Sequence, residues 1–283
     1  MSNNIFFERG QIADVESQTS NYLWNGDCLE EMKQISDKSI DAIICDLPYG
    51  TTSIKWDSVI PFDLLWNEYN RIIKSNGAIL LFGSEPFSST LRMSNINKFK
   101  YDWIWEKTMP TGMAQSSYMP MKYHETISLF VNKGKPTFNK QLAERNESSL
   151  NRAKYKIQGS SNKSNHVNMG KQETTFYDAT KVNPKTVLQF KSVPNTPKGS
   201  KLHPTQKPLE LLKYLVKTYT NENDWVLDNT CGSNTTGIAC YDLNRNYIGI
   251  EKDIDIYNVA KKRVEKNILL RANKPKTLFD APK

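Results

Sequence analysis

Residues 225–251 read Trp225-Val-Leu-Asp-Asn-Thr-Cys-Gly-Ser-Asn-Thr-Thr-Gly-Ile-Ala-Cys-Tyr-Asp-Leu-Asn-Arg-Asn-Tyr-Ile-Gly-Ile-Glu251. The short apolar run Trp225–Leu227 predicts a strand buried on both faces, ending in Asp228. A loop of small residues through Gly232 follows, and it feeds a helix starting at Thr235 or Thr236. The next apolar run, Tyr247–Ile250, predicts a second strand that ends in Glu251. Strand, tight loop, helix and strand in this order are the repeating unit of a parallel α/β sheet. Small loop residues let a ligand approach the backbone, and a helix N-terminus favours negative groups. The glycines match neither GxGxxG nor GxxxxGK[ST], which disfavours the standard dinucleotide and nucleoside-triphosphate readings.

Upstream, the same alternation continues. Candidate strands are Tyr22–Trp24, Asp41–Cys45, Ala78–Phe82 and Thr126–Val131. Amphipathic helices are expected over Pro61–Lys74 and Pro208–Tyr219. The fold class is therefore α/β with an open, mostly parallel sheet, whose ligands sit beyond the carboxyl ends of the strands. Three further strand ends or turns carry chemistry. Asp46-Leu47-Pro48-Tyr49-Gly50 puts a carboxylate, backbone carbonyl acceptors and an aromatic ring into one turn, a set that suits a planar base with an exocyclic amine. An Asp-capped βα turn is the plain alternative for that stretch. Glu251, nineteen residues after Gly232, stands where a ribose diol is held in Rossmann-type sites, although an acid there also caps helices. Leu202-His203-Pro204-Thr205-Gln206-Lys207-Pro208 is a proline-stiffened approach to a helix.

Charge divides the chain. The whole carries 38 Lys and Arg against 30 Asp and Glu, a net +8, yet residues 131–201 hold fourteen of the cations and four of the acids. That segment is +10, and the rest is −2. Its Asn-, Ser- and Lys-rich middle has few periodic apolar residues and reads as a long insertion with interspersed aromatics, Tyr155, Phe176 and Tyr177. A polyanionic partner is the functional reading and a solvated loop the bland one. The expected organisation is a polar arm (1–20), a first half-domain (21–131), the basic insertion (132–201) and a second half-domain (202–283). The polar first residues read as a cytoplasmic start, and no apolar run approaches the roughly 20 residues of a membrane span. Four dispersed cysteines and three histidines show no metal-ligand spacing, so no metal is expected.

Together, DLPYG, VLDNTCGSNTTG, IGIEKD and LHPTQKPLELL resemble the motifs of the DNA amino-methyltransferases, in the order of their β class. The resemblance covers about three-quarters of the chain and leaves the basic insertion unmatched. It implies a seven-stranded, Rossmann-like sheet in circularly permuted order, with S-adenosylmethionine over one half and a flipped-out base over the other. Asp46, Leu47, Pro48 and Tyr49 would be the catalytic motif, with Tyr49 stacking on the base. Asp228, Gly232, Ser233, Thr235 and Glu251 would hold the cofactor, Thr205 and Lys207 would lie near its methionine portion, and Asp27 beside it. Lys107, His124 and the insertion would contact DNA phosphates and recognition bases. The head Asp favours adenine N6 over cytosine N4. The resemblance permits a homodimer and a cognate restriction nuclease. Asn234 replaces the loop's second glycine; asparagine tolerates positive φ, but its side chain would crowd the cofactor if turned inward. An N4-cytosine enzyme, an RNA or protein methyltransferase, and a DNA-binding protein with an impaired cofactor site are the competing readings.

Overall fold

A computed structural model describes residues 19–51, 57–148, 150, 180–193 and 206–272. In chain order it runs β1 (Asn21–Asn25), α1 (Cys28–Met32), β2 (Ile40–Cys45), α2 (Phe62–Ile72), β3 (Ile73–Gly83), α3 (Phe87–Ser94), β4 (Phe99–Thr111) and β5 (Lys122–Val131). There follow β6 (Ala143–Glu144), β7 (Lys181–Val182), β8 (Val187–Phe190), α4 (Leu209–Tyr219), β9 (Trp225–Asp228), α5 (Thr235–Asp242), β10 (Asn246–Glu251) and α6 (Ile254–Ala272). Thr205, His203 and most of the polar middle of the insertion lie outside the described residues.

Two compact units result: residues Met1–Asn139 with Thr186–Lys283, and residues Lys140–Lys185. The larger holds an eight-stranded sheet in the order β1-β10-β9-β2-β3-β5-β4-β8. From β1 to β3 all neighbours are parallel; β5 runs antiparallel to both β3 and β4, and β8 is parallel to β4. The eighth strand corrects the seven implied by resemblance. It arises because Val187–Phe190 pairs with Ile104–Lys107 along the outer edge of β4.

The sheet is covered on both faces, which explains its unbroken apolar runs. Ile43 and Cys45 of β2 pack with Leu65, Trp66 and Tyr69 of α2, whereas Ala42 and Ile44 pack toward Leu211, Leu215 and Val216 of α4. Alternate residues of one strand thus enter two different cores. The buried stripe of α2, Leu65, Trp66, Tyr69 and Ile72, repeats at helical spacing, and Pro61 and Pro208 stand immediately before the helices they introduce. Asp41, at the start of β2, accepts from the Trp225 amide at 2.9 Å and pairs with Lys74 at 2.6 Å, fixing the registration of β9 on β2.

The smaller unit contains the antiparallel pair β6–β7. There Lys181 pairs with Glu144, and the Arg145 Nε donates to the Lys181 carbonyl at 3.0 Å, so part of the positive charge is engaged locally.

Candidate active site

Because β1, β10, β9 and β2 are parallel neighbours, their carboxyl ends share one edge of the sheet. Asp27, Glu251, Asp228 and Asp46 sit at or just beyond those four ends, and all line one cleft of about 910 Å³. Gly232, Ser233, Thr235 and Lys207 line it too, as do Leu47, Pro48 and Tyr49. The sequence-predicted residues therefore converge, Thr205 alone falling outside the described residues.

In one half of the cleft the small-residue loop is held from three sides. The Glu251 carboxylate accepts the Gly232 amide at 3.0 Å and the Asp253 amide at 2.9 Å. Burial lifts its carboxyl above the ordinary range, with those amides pulling the other way. Asp228 is more deeply buried, and burial raises it to about 7 despite bonds from Thr236 and the Thr230 amide. Arg263 of α6 reaches across to donate to the Ser233 carbonyl at 2.7 Å and the Thr235 hydroxyl at 2.8 Å. Its own burial lowers the guanidinium to about 10. Asp27 caps α1 through the Leu29 amide at 3.0 Å and meets Lys252 at 3.0 Å. It thus turns the chain and also borders the cleft.

Asn234 precedes α5 with φ 60° and ψ 43°, the left-handed conformation that a glycine adopts freely. Its side chain is buried and turned toward α5, where a Cβ on Gly237 would collide with it, and it takes no part in lining the cleft. The side chain is therefore not turned into the cleft. Gly232 also has positive φ (51°), and nothing lies within 4 Å of where its Cβ would be. A ligand can therefore approach the backbone there.

In the other half, Asp46 accepts the Tyr49 hydroxyl at 2.6 Å on Oδ1 and pairs with Lys207 at 2.7 Å on Oδ2. Lys207 also meets Glu125 at 3.0 Å, and Glu125 in turn meets Lys107 at 3.2 Å. An alternating chain of acid, lysine, acid and lysine results. Burial pushes the Asp46 carboxyl up, with Lys207 opposing, and the net direction is upward. Burial acts on Glu125 in the same sense, but Lys207 and Lys107 outweigh it and hold Glu125 below the ordinary range. Burial would lower Lys207, yet Asp46 and Glu125 reverse this and raise it. The Lys207 ammonium also lies 5.1 Å from the Phe82 ring centroid.

Three expectations change here. Lys207, expected near the cofactor's methionine portion, is found to contact the motif aspartate. Lys107 is 6% exposed and ion-paired, so it does not face a phosphate. One face of the Tyr49 ring is already stacked on Phe87, at a centroid distance of 4.9 Å. The two halves are also stitched together. The Thr230 hydroxyl donates to the Asp46 carbonyl at 3.0 Å, and the Tyr69 hydroxyl donates to Asn229 Oδ1 at 2.6 Å.

Sequence reasoning missed Glu125, Arg263 and Tyr69. Glu125 stands immediately before the predicted strand Thr126–Val131. It reaches the cleft because β5 is antiparallel, which brings its first residues to the edge where the parallel strands end. Recognising that reversal was the available signal.

A family model described as DNA methylase matches residues 40–262, more than three-quarters of the chain. The chain belongs to the DNA methylase family. Among curated relatives of the methylase, the Type II methyltransferase M.HinfI of Haemophilus influenzae is 30% identical over 274 residues, covering 86% of this chain and 68% of the relative. The DNA adenine methyltransferase YhdJ of Escherichia coli K12 is 28% identical over 254 residues, covering 85% and 81%. The crystal structure of the M1.HpyAVI–SAM complex superposes with a TM-score of 0.57 at 25% identity, covering 86% of this chain and 98% of that one.

The methylase is thus an S-adenosylmethionine-dependent DNA methyltransferase. Its cleft fits that donor on structural grounds: open space over Gly232, and a Glu251 carboxylate that lines the cleft with lone pairs able to accept from hydroxyl donors besides the Gly232 and Asp253 amides. No helix among the described residues is long and apolar enough to cross a membrane.

Proposed function

We propose that the protein methylates the exocyclic N6 amine of an adenine taken out of the DNA stack. The observation that carries this reading is the placement of Asp46. Asp46 lines the same cleft as Glu251 and Gly232, and its backbone carbonyl is one hydrogen bond from the glycine loop through the Thr230 hydroxyl. Bound S-adenosylmethionine supplies a sulfonium methyl group. The chain's residues do the rest.

An exocyclic amine is a weak nucleophile because its lone pair is delocalised into the ring. Asp46 and the Leu47 carbonyl would accept its two hydrogens, favouring a pyramidal nitrogen with its lone pair free. The nitrogen so prepared would be able to take up the donor's methyl group, the donor leaving as a neutral thioether. Asp46 stabilises the positive charge that develops and takes the surplus proton on a carboxylate oxygen before it passes to solvent. Glu251 would hold the ribose hydroxyls, while Asp228, Ser233, Thr235 and Asp27 complete that half. Tyr49, backed by Phe87, would offer its remaining face to the flipped base. Positioning in a closed cleft supplies much of the acceleration.

The +10 of residues 131–201 supports a DNA-reading role for the insertion, in a protein that works in the cytoplasm. A homodimer or a cognate nuclease is compatible with this reading and is not required by it. Tritiated methyl transfer to unmethylated DNA, followed by nucleoside analysis, tests the proposal. Label in N6-methyladenine is expected; label in N4-methylcytosine would overturn the base assignment. Asp46→Ala should abolish transfer with cofactor affinity retained, and normal activity in that variant would refute the role of Asp46.

A further inference from the structure

Lys207 poses an electrostatic problem for the reaction. Its ammonium lies 2.7 Å from the carboxylate assigned to the target amine. When the amine attacks, its nitrogen becomes positive, and a lone cation so close would oppose that change. The structure holds a second acid against the same ammonium, Glu125 at 3.0 Å, and a second lysine beyond it, Lys107 at 3.2 Å. Lys107 also donates to the Thr111 hydroxyl at 3.3 Å. The groups arrive from separate elements: Asp46 and Tyr49 after β2, Lys107 from β4, Glu125 from β5, and Lys207 before α4. Asp228, at the end of β9, is a further acid within electrostatic reach of Asp46. Lys207, Glu125 and Lys107 are largely buried, with side-chain exposures of 10%, 16% and 6%, so water screens them poorly.

We propose that Glu125 is a positioning residue for methyl transfer, holding Lys207 and cancelling its charge so that Asp46 meets the target nitrogen in a neutral quartet. Two acids and two lysines sum to zero. Neutralising Glu125 alone leaves the quartet at +1 beside the developing cation. This inference rests on Asp46 as the amine's acceptor, but needs only an exocyclic amine, whether on adenine or cytosine.

Glu125→Gln keeps the shape and removes the charge. An uncompensated unit charge about 6 Å from the nitrogen, in a medium of effective dielectric about 20, predicts a loss of about 100-fold in kcat. Two further measurements separate this from a structural role. Adding Lys107→Met to Glu125→Gln restores neutrality and should recover at least tenfold of that loss, as ~1.4 kcal/mol of the unfavourable field is removed. Glu125→Asp, which keeps the charge, should retain most of wild-type kcat.

A Glu125→Gln protein within threefold of wild-type kcat would overturn the proposal. So would a folded double variant no better than the single one. The assignment on which it rests fails separately, through normal activity of Asp46→Ala.

Discussion

Asp228→Asn exchanges a carboxylate for an amide of the same shape, and its effect on stability should depend on pH in a defined direction. Asp228 is 4% exposed at the end of β9. Burial raises its carboxyl from an ordinary 3.8 to about 7. As pH rises from 4 toward 7, the unfolded chain has already released this proton while the native protein still holds it. Native stability therefore falls through that window and levels off above it. At about 1.4 kcal/mol per pH unit, the full gap is worth about 4 kcal/mol, of which about 2.5 kcal/mol falls between pH 5 and pH 8. The amide stays neutral throughout and keeps an oxygen for the Thr230 amide, which donates to Asp228 Oδ1 at 3.3 Å. Urea unfolding of both proteins at pH 5 and pH 8 measures the difference. The variant should gain about 2.5 kcal/mol on wild type between the two conditions. Asp46 and Glu251 titrate in both proteins and largely cancel. A difference that does not change with pH would mean that Asp228 ionises like an exposed acid, and the account of its burial would be wrong.

Other substitutions probe the loop that Asp228 introduces. Asn234→Gly keeps the left-handed conformation without a Cβ and should alter stability by no more than about 1 kcal/mol, whereas Asn234→Ala should cost about 1–2 kcal/mol in urea unfolding. Tyr69→Phe removes the hydroxyl bonded to Asn229 and Cys45 and leaves the buried amide oxygen without that donor. It should cost about 1–3 kcal/mol by the same measurement, and an unchanged midpoint would refute the role of that bond. Arg263→Ala frees Ser233 and Thr235 and should weaken S-adenosylmethionine binding about tenfold by calorimetry. Unchanged affinity would mean that the loop holds its shape without the clamp.

Much of this site was legible because its chemistry sits on short, strongly patterned pieces. The run from Trp225 to Glu251 has the apolar strands, small-residue loop and terminal acids that force one local arrangement, and the structure places β9, α5 and β10 there. Asp46 was legible for the same reason, as an acid directly after a buried strand. β4 was missed because its buried positions, Trp103, Trp105 and Lys107, alternate with Ile104 and Glu106, so a lysine stands where a core residue is expected. That lysine is tolerated because Glu125, opposite Trp105 on the neighbouring strand β5, pairs with it at 3.2 Å, a partner eighteen residues away in sequence. The pairing of Lys207 with Asp46 spans far more chain still and depends on how the strands are ordered, which no local pattern records.

The strand order has a consequence for how the protein is made. The ladder between β2 and β9 pairs Ala42 with Val226 and Ile43 with Leu227, positions 184 residues apart in the chain. No nascent chain can form that seam until Asp228 has left the ribosome. Until then β2 has β3 on one side and a bare edge on the other, a surface prone to pairing with a neighbouring chain. A chain that stopped before β9 would leave that edge of β2 unpaired. Synthesis through β9 is what brings Asp46 and Asp228, at the ends of two distant strands, into one cleft.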